Sequence, residues 1–433
     1  MINIANTAFV LSATILVFWM TPGLAFFYGG LVSPKNVVNT MLSVFIICGI
    51  AVLLFITCGY ELCFGPNIAG IIGGVHHLLL HGVDFMRSAS VTHIPMVSYL
   101  LFQLMFALIT PALFVGAVVG RMRFNYFLLF LCAWTFLVYY PLVHMVWTPH
   151  GLLARTGLLD FAGGTVVHIN AGITSLVLSV ILGRRLPASH QHYNLPWILL
   201  GTSILWIGWY GFNAGAALGI TPVALQAILT TTVATAGAIT TWMVLEIITR
   251  GHPTLVGTCT GTLCGLVGIT PAAGYVSTTG ALLIGVLCTC ASFAFINWGK
   301  RVFPIDDPLD AFGCHGIAGI CGSVLTGVFA TRTVNPHIPT NGLLYGGGWH
   351  LLGIQAFGTI TTILFVTIMA GGLALLLARF VPMRVSKQAE QRGLDQSEHG
   401  EQVDYTVRSE YDVRRYQDEF RGQLGQLYHH KKF

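Results

Sequence analysis

The chain has 433 residues, of which 55% are hydrophobic and only 9% are charged, and its mean hydropathy is +0.75. Because about a quarter of the residues in soluble domains are charged, this composition excludes an ordinary soluble protein and favours a chain that lies in a lipid bilayer. The formal net charge is +5, without a basic patch interleaved with aromatic residues, which argues against a nucleic-acid partner.

Apolar runs of membrane-spanning length recur along the chain. The first run begins near residue 7 with no Lys or Arg before it, unlike a signal peptide, and we interpret it as a retained span. Runs of about 20 apolar residues predict eleven transmembrane helices. Their predicted ranges are 7–31, 37–60, 95–119, 125–147, 163–183, 196–217, 222–249, 254–271, 277–298, 309–330 and 349–380.

The basic residues between the spans predict the orientation of the chain. Loops after the even-numbered spans hold only Arg87, Arg155 and Arg332. The basic residues that follow the odd-numbered spans are Lys35, Arg121, Arg123, Arg184, Arg185, Arg250, Lys300, Arg301, Arg379 and Arg384. Since Lys and Arg accumulate on the cytoplasmic side, we predict an outer N-terminus and a cytoplasmic C-terminus in the cell (inner) membrane.

Two pairs of similar stretches lie five spans apart. The stretch DFAGGTVVHINAG (160–172) opens span 5, and DAFGCHGIAG (310–319) opens span 10. PGLAFFYGG (22–30) and GWYGFNAG (208–215) lie near the ends of spans 1 and 6. Because five is odd, the second copy inserts upside down, as in many transporters. We therefore predict an all-α polytopic fold with an inverted 5+5 repeat and a long eleventh helix, within residues 1–383.

His168 and His315 are the first functional candidates, since ionisable groups inside membrane spans are costly. His168 lies about 12 Å beyond Asp160 and His315 about 7.5 Å beyond Asp310 along ideal helices. The two histidines enter the membrane from opposite sides, and these distances predict that their depths differ by roughly 10 Å. The two rings meet only if span 10 starts well inside the membrane plane. A structural role, with each ring bonded to a carbonyl, and a metal site are the alternatives.

The two aspartates and the aromatic residues are the next candidates. Asp160 and Asp310 stand where a carboxylate caps a helix N-terminus, a role that we favour over direct contact with an ion. Phe102 and Phe106 share one face of span 3, and Trp147 ends span 4. Aromatic faces can hold a cation, although most of the nine tryptophans fit an interfacial belt.

The remaining features limit the function further. We find no catalytic Ser-His-Asp spacing, P-loop, dinucleotide fingerprint or H-E-x-x-H motif, and so expect neither an enzyme nor a cofactor.

The ten cysteines lie mostly in apolar runs, and Cys58 and Cys63 could pair or stay reduced. Residues 384–433 form a polar cytoplasmic tail, with short helices possible near 404–420. A nearly apolar interior suits a small species with little or no charge.

Four motifs resemble one known family. DFAGGTVVHINAG, GWYGFNAG, DDPLDAFGCHGIAG and GLDQSEHGE are similar to motifs of the ammonium transporter branch of the ammonium transporter and rhesus protein family, over about residues 7–401. The resemblance implies a homotrimer in which every subunit has its own pore. It implies ammonium and ammonia as cargo, with methylammonium as a transported analogue.

The resemblance also implies roles for individual residues near the outer face. Trp147 and Phe106 match the aromatic positions of an outer ammonium-recruitment site, and Asp160 matches an aspartate near it. Phe106 and Phe212 match two stacked rings that gate the pore. The family usually has a serine four residues after the second gating phenylalanine, but here that position is Ala216. Loss of this hydroxyl should weaken the outer site by about 1 kcal/mol.

Deeper positions are implied in the same way. His168 and His315 match twin histidines that line the conducting lumen. Residues 393–401 match a cytosolic tail motif that couples subunits and, in many members, meets a nitrogen-signalling protein of the PII type. The expected mechanism is recruitment of ammonium, loss of its proton and conduction of ammonia. The alternatives are an ammonium sensor, a gas channel of the rhesus type, against which Trp147 and the tail motif argue, and a membrane metalloenzyme.

Overall fold

The structure is a computed structural model that describes residues 1–186, 192–302 and 305–403. Within this part of the chain, ten helices are long and apolar enough to cross a membrane, and an eleventh apolar helix is shorter. The prediction of eleven helices is therefore confirmed in outline. The predicted helices near 404–420 lie outside the described residues.

We number the eleven apolar helices in chain order. They are α1 (Ile4–Leu31), α2 (Pro34–Phe64), α3 (Met96–Val118), α4 (Phe124–Trp147), α5 (Gly164–Leu182), α6 (Leu195–Gly215), α7 (Pro222–Arg250), α8 (Leu255–Ile269), α9 (Thr278–Gly299), α10 (Phe312–Phe329) and α11 (His350–Leu377). A helical turn at Lys300–Val302 continues α9, and α12 (Lys387–Arg392) follows α11. The short hairpin β1 (Asn67–Ile68) and β2 (Ile72–Gly73) lies between α2 and α3.

Side-chain caps set the start of several helices. The side-chain oxygens of Asn3, Asn194 and Ser277 accept hydrogen bonds from backbone N–H groups in the first turns of α1, α6 and α9. Thr221 and Thr254 do the same for α7 and α8. These caps satisfy donors that have no partner inside the helix, which matters most where the end of a helix is far from water.

Four of the five π-helical turns in the apolar helices occur at matching places in the two halves, and the fifth, Phe55–Gly59 in α2, has no counterpart in α7. In α4 and α9 they cover Thr135–Tyr139 and Phe295–Gly299. In α5 and α10 they cover Gly164–Ile169 and Phe312–Ile317, and each of these two turns carries one of the predicted histidines. The correspondence between α4 and α9 and between α5 and α10 supports the predicted five-helix period.

The core runs through the middle of the helix assembly, while α11 carries exposed apolar side chains. Examples on α11 are Phe357, Ile360 and Leu364. Such surface suits contact with lipid or with another apolar surface. Cys58 and Cys63, which the sequence left open as a pair, both carry free thiols.

Candidate functional site

The imidazole rings of His168 and His315 lie against each other at the centre of the assembly. Their ring centroids are 5.3 Å apart and the ring planes differ by 11°. Both residues are at least 98% buried. The predicted depth difference of roughly 10 Å is thus wrong, because neither helix begins at its aspartate: α5 begins at Gly164, and residues 305–310 before α10 are not helical.

Two glycines allow the histidine-bearing helices to come this close. A Cβ atom added to Gly172 of α5 would lie 2.2 Å from the backbone nitrogen of Gly316 and 2.3 Å from its Cα. Real Cβ contacts are not this short, so a side chain at position 172 would push α5 and α10 apart. The contact between the two rings therefore depends on bare backbone at this crossing.

Aromatic rings continue from the histidines toward the end of α4. The Phe212 ring centroid lies 5.8 Å from that of His168 and 4.6 Å from that of Phe106. The Phe106 ring in turn lies 5.3 Å from Trp147, edge to face. Five of the predicted site residues therefore form one column, from Trp147 through Phe106 and Phe212 to His168 and His315.

Trp209 supports this column from the side. Its ring stacks on His168 at 5.2 Å with an interplanar angle of 15°. Its indole N–H donates a hydrogen bond of 2.8 Å to the hydroxyl of Thr270 at the end of α8. Three ring nitrogens of the histidine pair, both of His168 and Nδ1 of His315, have no hydrogen-bond partner in the described part of the protein. The structural alternative, in which a carbonyl holds each ring, is not observed for these three atoms.

Asp160 caps α5, as the sequence predicted. Its carboxylate accepts hydrogen bonds from the backbone N–H groups of Gly163, Thr165 and Val166, each 3.1 Å long. Its carbonyl oxygen accepts a 3.3 Å bond from the Trp147 indole, which ties the cap to the first ring of the column. Burial raises the pKa of the Asp160 carboxyl to about 6, although the N–H donors lower it in part.

The predicted capping role of Asp310 is wrong. Its φ angle is +57°, and its carboxylate forms an ion pair with Lys300. The cap of α10 is instead Asp307, whose carboxylate accepts from Ala311 N–H at 3.1 Å and Phe312 N–H at 2.7 Å. Asp307 is buried, which raises its pKa, with the nearby Lys300 acting in the opposite direction.

Sequence reasoning could have found Asp307 from spacing alone. Asp307 precedes His315 by eight residues, just as Asp160 precedes His168 by eight. Pairing Asp160 with Asp310, the first residues of the two stretches, misses the equivalent aspartate, which lies three residues upstream of Asp310. Gly172, Gly316 and Thr270 were missed as well, because their roles depend on contacts between helices distant in sequence.

At the Trp147 end of the column, Gly215 and Ala216 at the end of α6 offer no polar side-chain group. Ala216 follows the last turn of α6 and is half-buried, with only a methyl group as its side chain. Beside it, a Cβ on Gly215 would lie 2.6 Å from the Phe102 ring. Phe102 itself packs edge to face on Phe106 at 5.0 Å. Residues 1–186, 192–302 and 305–403 contain no group of three His, Cys, Asp or Glu side chains placed to hold a metal ion.

The segment matching the predicted tail motif packs near the starts of α2 and α4. Asp395 accepts a 2.8 Å bond from Asn39 N–H, and the Asn39 side chain contacts a His399 ring nitrogen at 2.9 Å. Glu398 accepts a 2.9 Å bond from Phe124 N–H at the start of α4. Gly393, with a φ angle of +104°, turns the chain toward these contacts.

Comparisons of sequence and of structure both find ammonium transporters that are similar to this chain. The sequence model of the Ammonium Transporter Family matches residues 8–404. An ammonium transporter of Aquifex aeolicus is 46% identical over 93% of this chain and 94% of its own length, and one of Bacillus subtilis is 40% identical over 93% and 98%. The crystal structure of Candida albicans Mep2 superposes with a TM-score of 0.83 at 30% identity, covering 89% of this chain and 87% of that one. A solved structure described as a sensor Amt protein also has a TM-score of 0.83, at 27% identity, with coverages of 91% and 98%.

Proposed function

The chain belongs to the Ammonium Transporter Family and transports ammonium across a membrane, and from this premise we propose the route that the cargo takes. Ammonium is recruited at Trp147 and Phe106, loses its proton, and passes as ammonia between Phe106 and Phe212 to the histidine pair. The observation that carries the proposal is the unbroken column of rings from Trp147 to His315, in which consecutive ring centroids lie 4.6 to 5.8 Å apart.

Loss of the proton follows from the cost of burying a charge. An isolated cation in a dry, apolar region costs many kcal/mol unless counter-charges or hydrogen bonds compensate. No carboxylate touches Phe212, His168 or His315 through a hydrogen bond or ion pair among the described residues. Ammonia carries no charge and avoids this cost. The rings at the outer end can hold the cation by cation–π attraction before it loses the proton.

Asp160 has a positioning role in this scheme. Its carboxylate holds the start of α5, and its carbonyl holds Trp147. Above pH 6 the carboxylate is mostly ionised, so it also attracts a cation through space. The carboxylate already accepts hydrogen bonds from three backbone N–H groups, so this role of Asp160 does not require direct contact with the ion.

The histidine pair allows two modes of transport. Two rings in contact titrate as a unit, so the pair can line a path for ammonia alone or also relay the proton. A relay makes transport electrogenic, whereas conduction of ammonia alone does not. The unpartnered ring nitrogens support the relay, since they are available as proton donors and acceptors.

The test is the ammonium-evoked current in proteoliposomes that contain the wild type, His168→Asp or His315→Ala. We expect both variants to change the current strongly. His350→Ala, at the exposed start of α11, is the matched control and should leave it unchanged. Currents equal to the wild type in both pore variants would remove the relay role.

We also propose the placement and partners that the sequence predicted. The protein lies in the cell membrane with its N-terminus outside and its C-terminus inside, and the apolar surface of α11 supports association into a homotrimer. The segment 393–401 is the site for a PII-type protein. Native mass measurement of the detergent-solubilised protein, with and without a purified PII-type protein, tests both assemblies.

A sensor function is the second candidate, because one similar solved structure is described as a sensor Amt protein. A sensor would bind ammonium and signal through the tail segment while transporting little. Uptake of labelled methylammonium by cells that lack other ammonium transporters separates the two functions. Uptake above the background of the empty strain supports transport, and binding without uptake supports the sensor.

A further inference from the structure

Gln355 is a fully buried amide near the start of α11. Its side chain accepts a 2.8 Å hydrogen bond from the Leu159 N–H and donates to the carbonyl oxygens of Leu159 at 2.9 Å and Ser323 at 3.0 Å. A buried polar side chain is costly unless it is bonded, and these three bonds use the oxygen and both N–H groups of the amide. Rotating the amide by 180° would set its oxygen against two carbonyl oxygens, so the bonds also fix which atom is oxygen and which is nitrogen.

The Gln355 amide holds both backbone groups of one residue. The N–H and the carbonyl of Leu159 bond to the same side chain, as the backbones of two strands pair in a sheet. One turn further along α11, a Cβ on Gly358 would lie 2.5 Å from the Leu158 side chain, so the helix backbone lies directly against that residue. Residues 158–160 belong to no helix or strand. Their position therefore depends on contacts such as these with α11.

The held segment continues directly into the proposed recruitment site. Asp160 follows Leu159, its carboxylate caps α5, and its carbonyl accepts the 3.3 Å bond from the Trp147 indole. Consecutive Cα atoms are about 3.8 Å apart across a rigid, planar peptide, so a shift of Leu159 also moves Asp160. One side chain and two backbone residues thus connect α11 to Trp147.

Gln355 also connects the two halves of the protein. Ser323 lies on α10, the helix that carries His315, and its hydroxyl accepts a 3.0 Å bond from the hydroxyl of Thr359, one turn beyond Gln355. Leu159 leads into α5, the helix of the other histidine. The same amide therefore sets the position of the segment before α5 relative to α10.

We propose that Gln355 is a positioning residue for the recruitment site, which determines the affinity for ammonium by fixing the Asp160 carbonyl that holds the Trp147 indole. This inference rests on the proposed recruitment of ammonium at Trp147 and Phe106. Cation–π attraction requires the ion to lie over the face of a ring, so a ring that is held in place binds it more tightly than a ring that turns. Gln355 acts through the backbone of Leu159 and Asp160, without contact with the ion.

The test measures methylammonium uptake into proteoliposomes as a function of concentration. Gln355→Met keeps the length of the side chain and removes all three hydrogen bonds. We expect the KM to rise about fivefold, with a maximal rate within about twofold of the wild type, because the column beyond the recruitment site is unchanged. Thr362→Val is the matched control and should keep the wild-type KM. Thr362 is fully buried on the same helix, and its hydroxyl donates to the carbonyl four residues before it.

A double-mutant cycle tests whether Gln355 acts through Trp147. Trp147→Phe keeps an aromatic ring but lacks the N–H that bonds to Asp160, so it should raise the KM by itself. Adding Gln355→Met to Trp147→Phe should then change the KM by less than about twofold, since the connection is already broken. An equal rise in both backgrounds, or a Gln355→Met KM equal to that of Thr362→Val, would overturn the inference.

Gln355→Glu provides the same comparison if Gln355→Met does not fold. Burial favours the neutral carboxyl group, which accepts from the Leu159 N–H and donates to one carbonyl, so two of the three bonds remain. We expect the KM to rise about twofold in the wild type and to stay unchanged in the Trp147→Phe background. An unchanged KM in the wild type, or the same rise in both backgrounds, would contradict the positioning role. Trp147→Leu removes the ring, and an unchanged KM for that variant would contradict the recruitment site itself.

Discussion

Asp160 and Asp307 occupy equivalent positions in the two halves of the protein, each eight residues before a histidine of the central pair and each capping the helix that carries it. Both carboxylates are buried and accept backbone N–H groups that would otherwise have no partner. The caps fix where α5 and α10 begin, and with that the depth at which His168 and His315 meet.

Removing the newly identified cap should therefore be costly. We expect Asp307→Ala to lower the free energy of unfolding by about 1–2 kcal/mol, the usual cost of losing a helix cap, and to reduce methylammonium uptake. The melting temperature in detergent and the uptake rate check this. Asp310→Asn is the control, since Asp310 pairs only with Lys300 in a half-buried site and should cost less. An equal or larger loss for Asp310→Asn would contradict the assignment of the cap to Asp307.

The crossing of α5 and α10 gives a second prediction. Gly172→Ala introduces a methyl group where the backbone of Gly316 lies, and we expect a loss of about 1–3 kcal/mol of stability together with loss of uptake. Gly372→Ala on α11 is the matched control, because a Cβ there meets no atom within 4 Å. That variant should be neutral or slightly stabilising. Normal uptake by Gly172→Ala would show that the histidine pair tolerates separation of its helices.

Thr270 offers a test of the support behind His168. Thr270→Val keeps the shape of the side chain but leaves the buried Trp209 N–H without an acceptor, so we expect a loss of about 1–3 kcal/mol. Because Trp209 stacks on His168, uptake should fall as well. Thr270→Ser keeps the hydroxyl and should behave nearly as the wild type. Equal melting temperatures for the Val and Ser variants would argue against the importance of this bond.

The raised pKa of Asp160 predicts a dependence of stability on pH. In the unfolded chain an aspartate titrates near pH 4 (about 3.9), whereas in the folded protein burial raises its pKa to about 6. The folded state thus binds more protons between these values, and the resulting stabilisation is complete below about pH 4 and lost as the pH rises through about 6. Asp160→Asn does not titrate, so the melting temperature of the wild type minus that of Asp160→Asn should fall between about pH 4 and about pH 6. A constant difference would contradict the raised pKa.

The sequence was most informative where a local pattern determines the structure. Apolar runs predicted the helices to within a few residues, since the thickness of the bilayer sets their length. Motif matching selected Trp147, Phe106, Phe212, His168 and His315, and the structure places these five in one column. Their roles in transport stay predictions until the variants are measured.

The sequence was least informative about how the helices fit together. Ideal helix geometry placed the two histidines at different depths, because nothing local shows that α10 starts only at Phe312. The close approach of Gly172 to Gly316 and the bond from Trp209 to Thr270 join helices far apart along the chain.

The wide turns that carry the histidines limit how the length of the chain can change. A π turn holds one residue more than an α turn, so Gly164–Ile169 and Phe312–Ile317 each act as a spacer one residue long. Deleting that residue would rotate the flanking side chains by about 100° relative to one another. Surface loops tolerate insertions and deletions. In these two turns, an insertion or deletion would turn an imidazole away from its counterpart. The number of residues in each turn is therefore as restricted as the identity of its histidine.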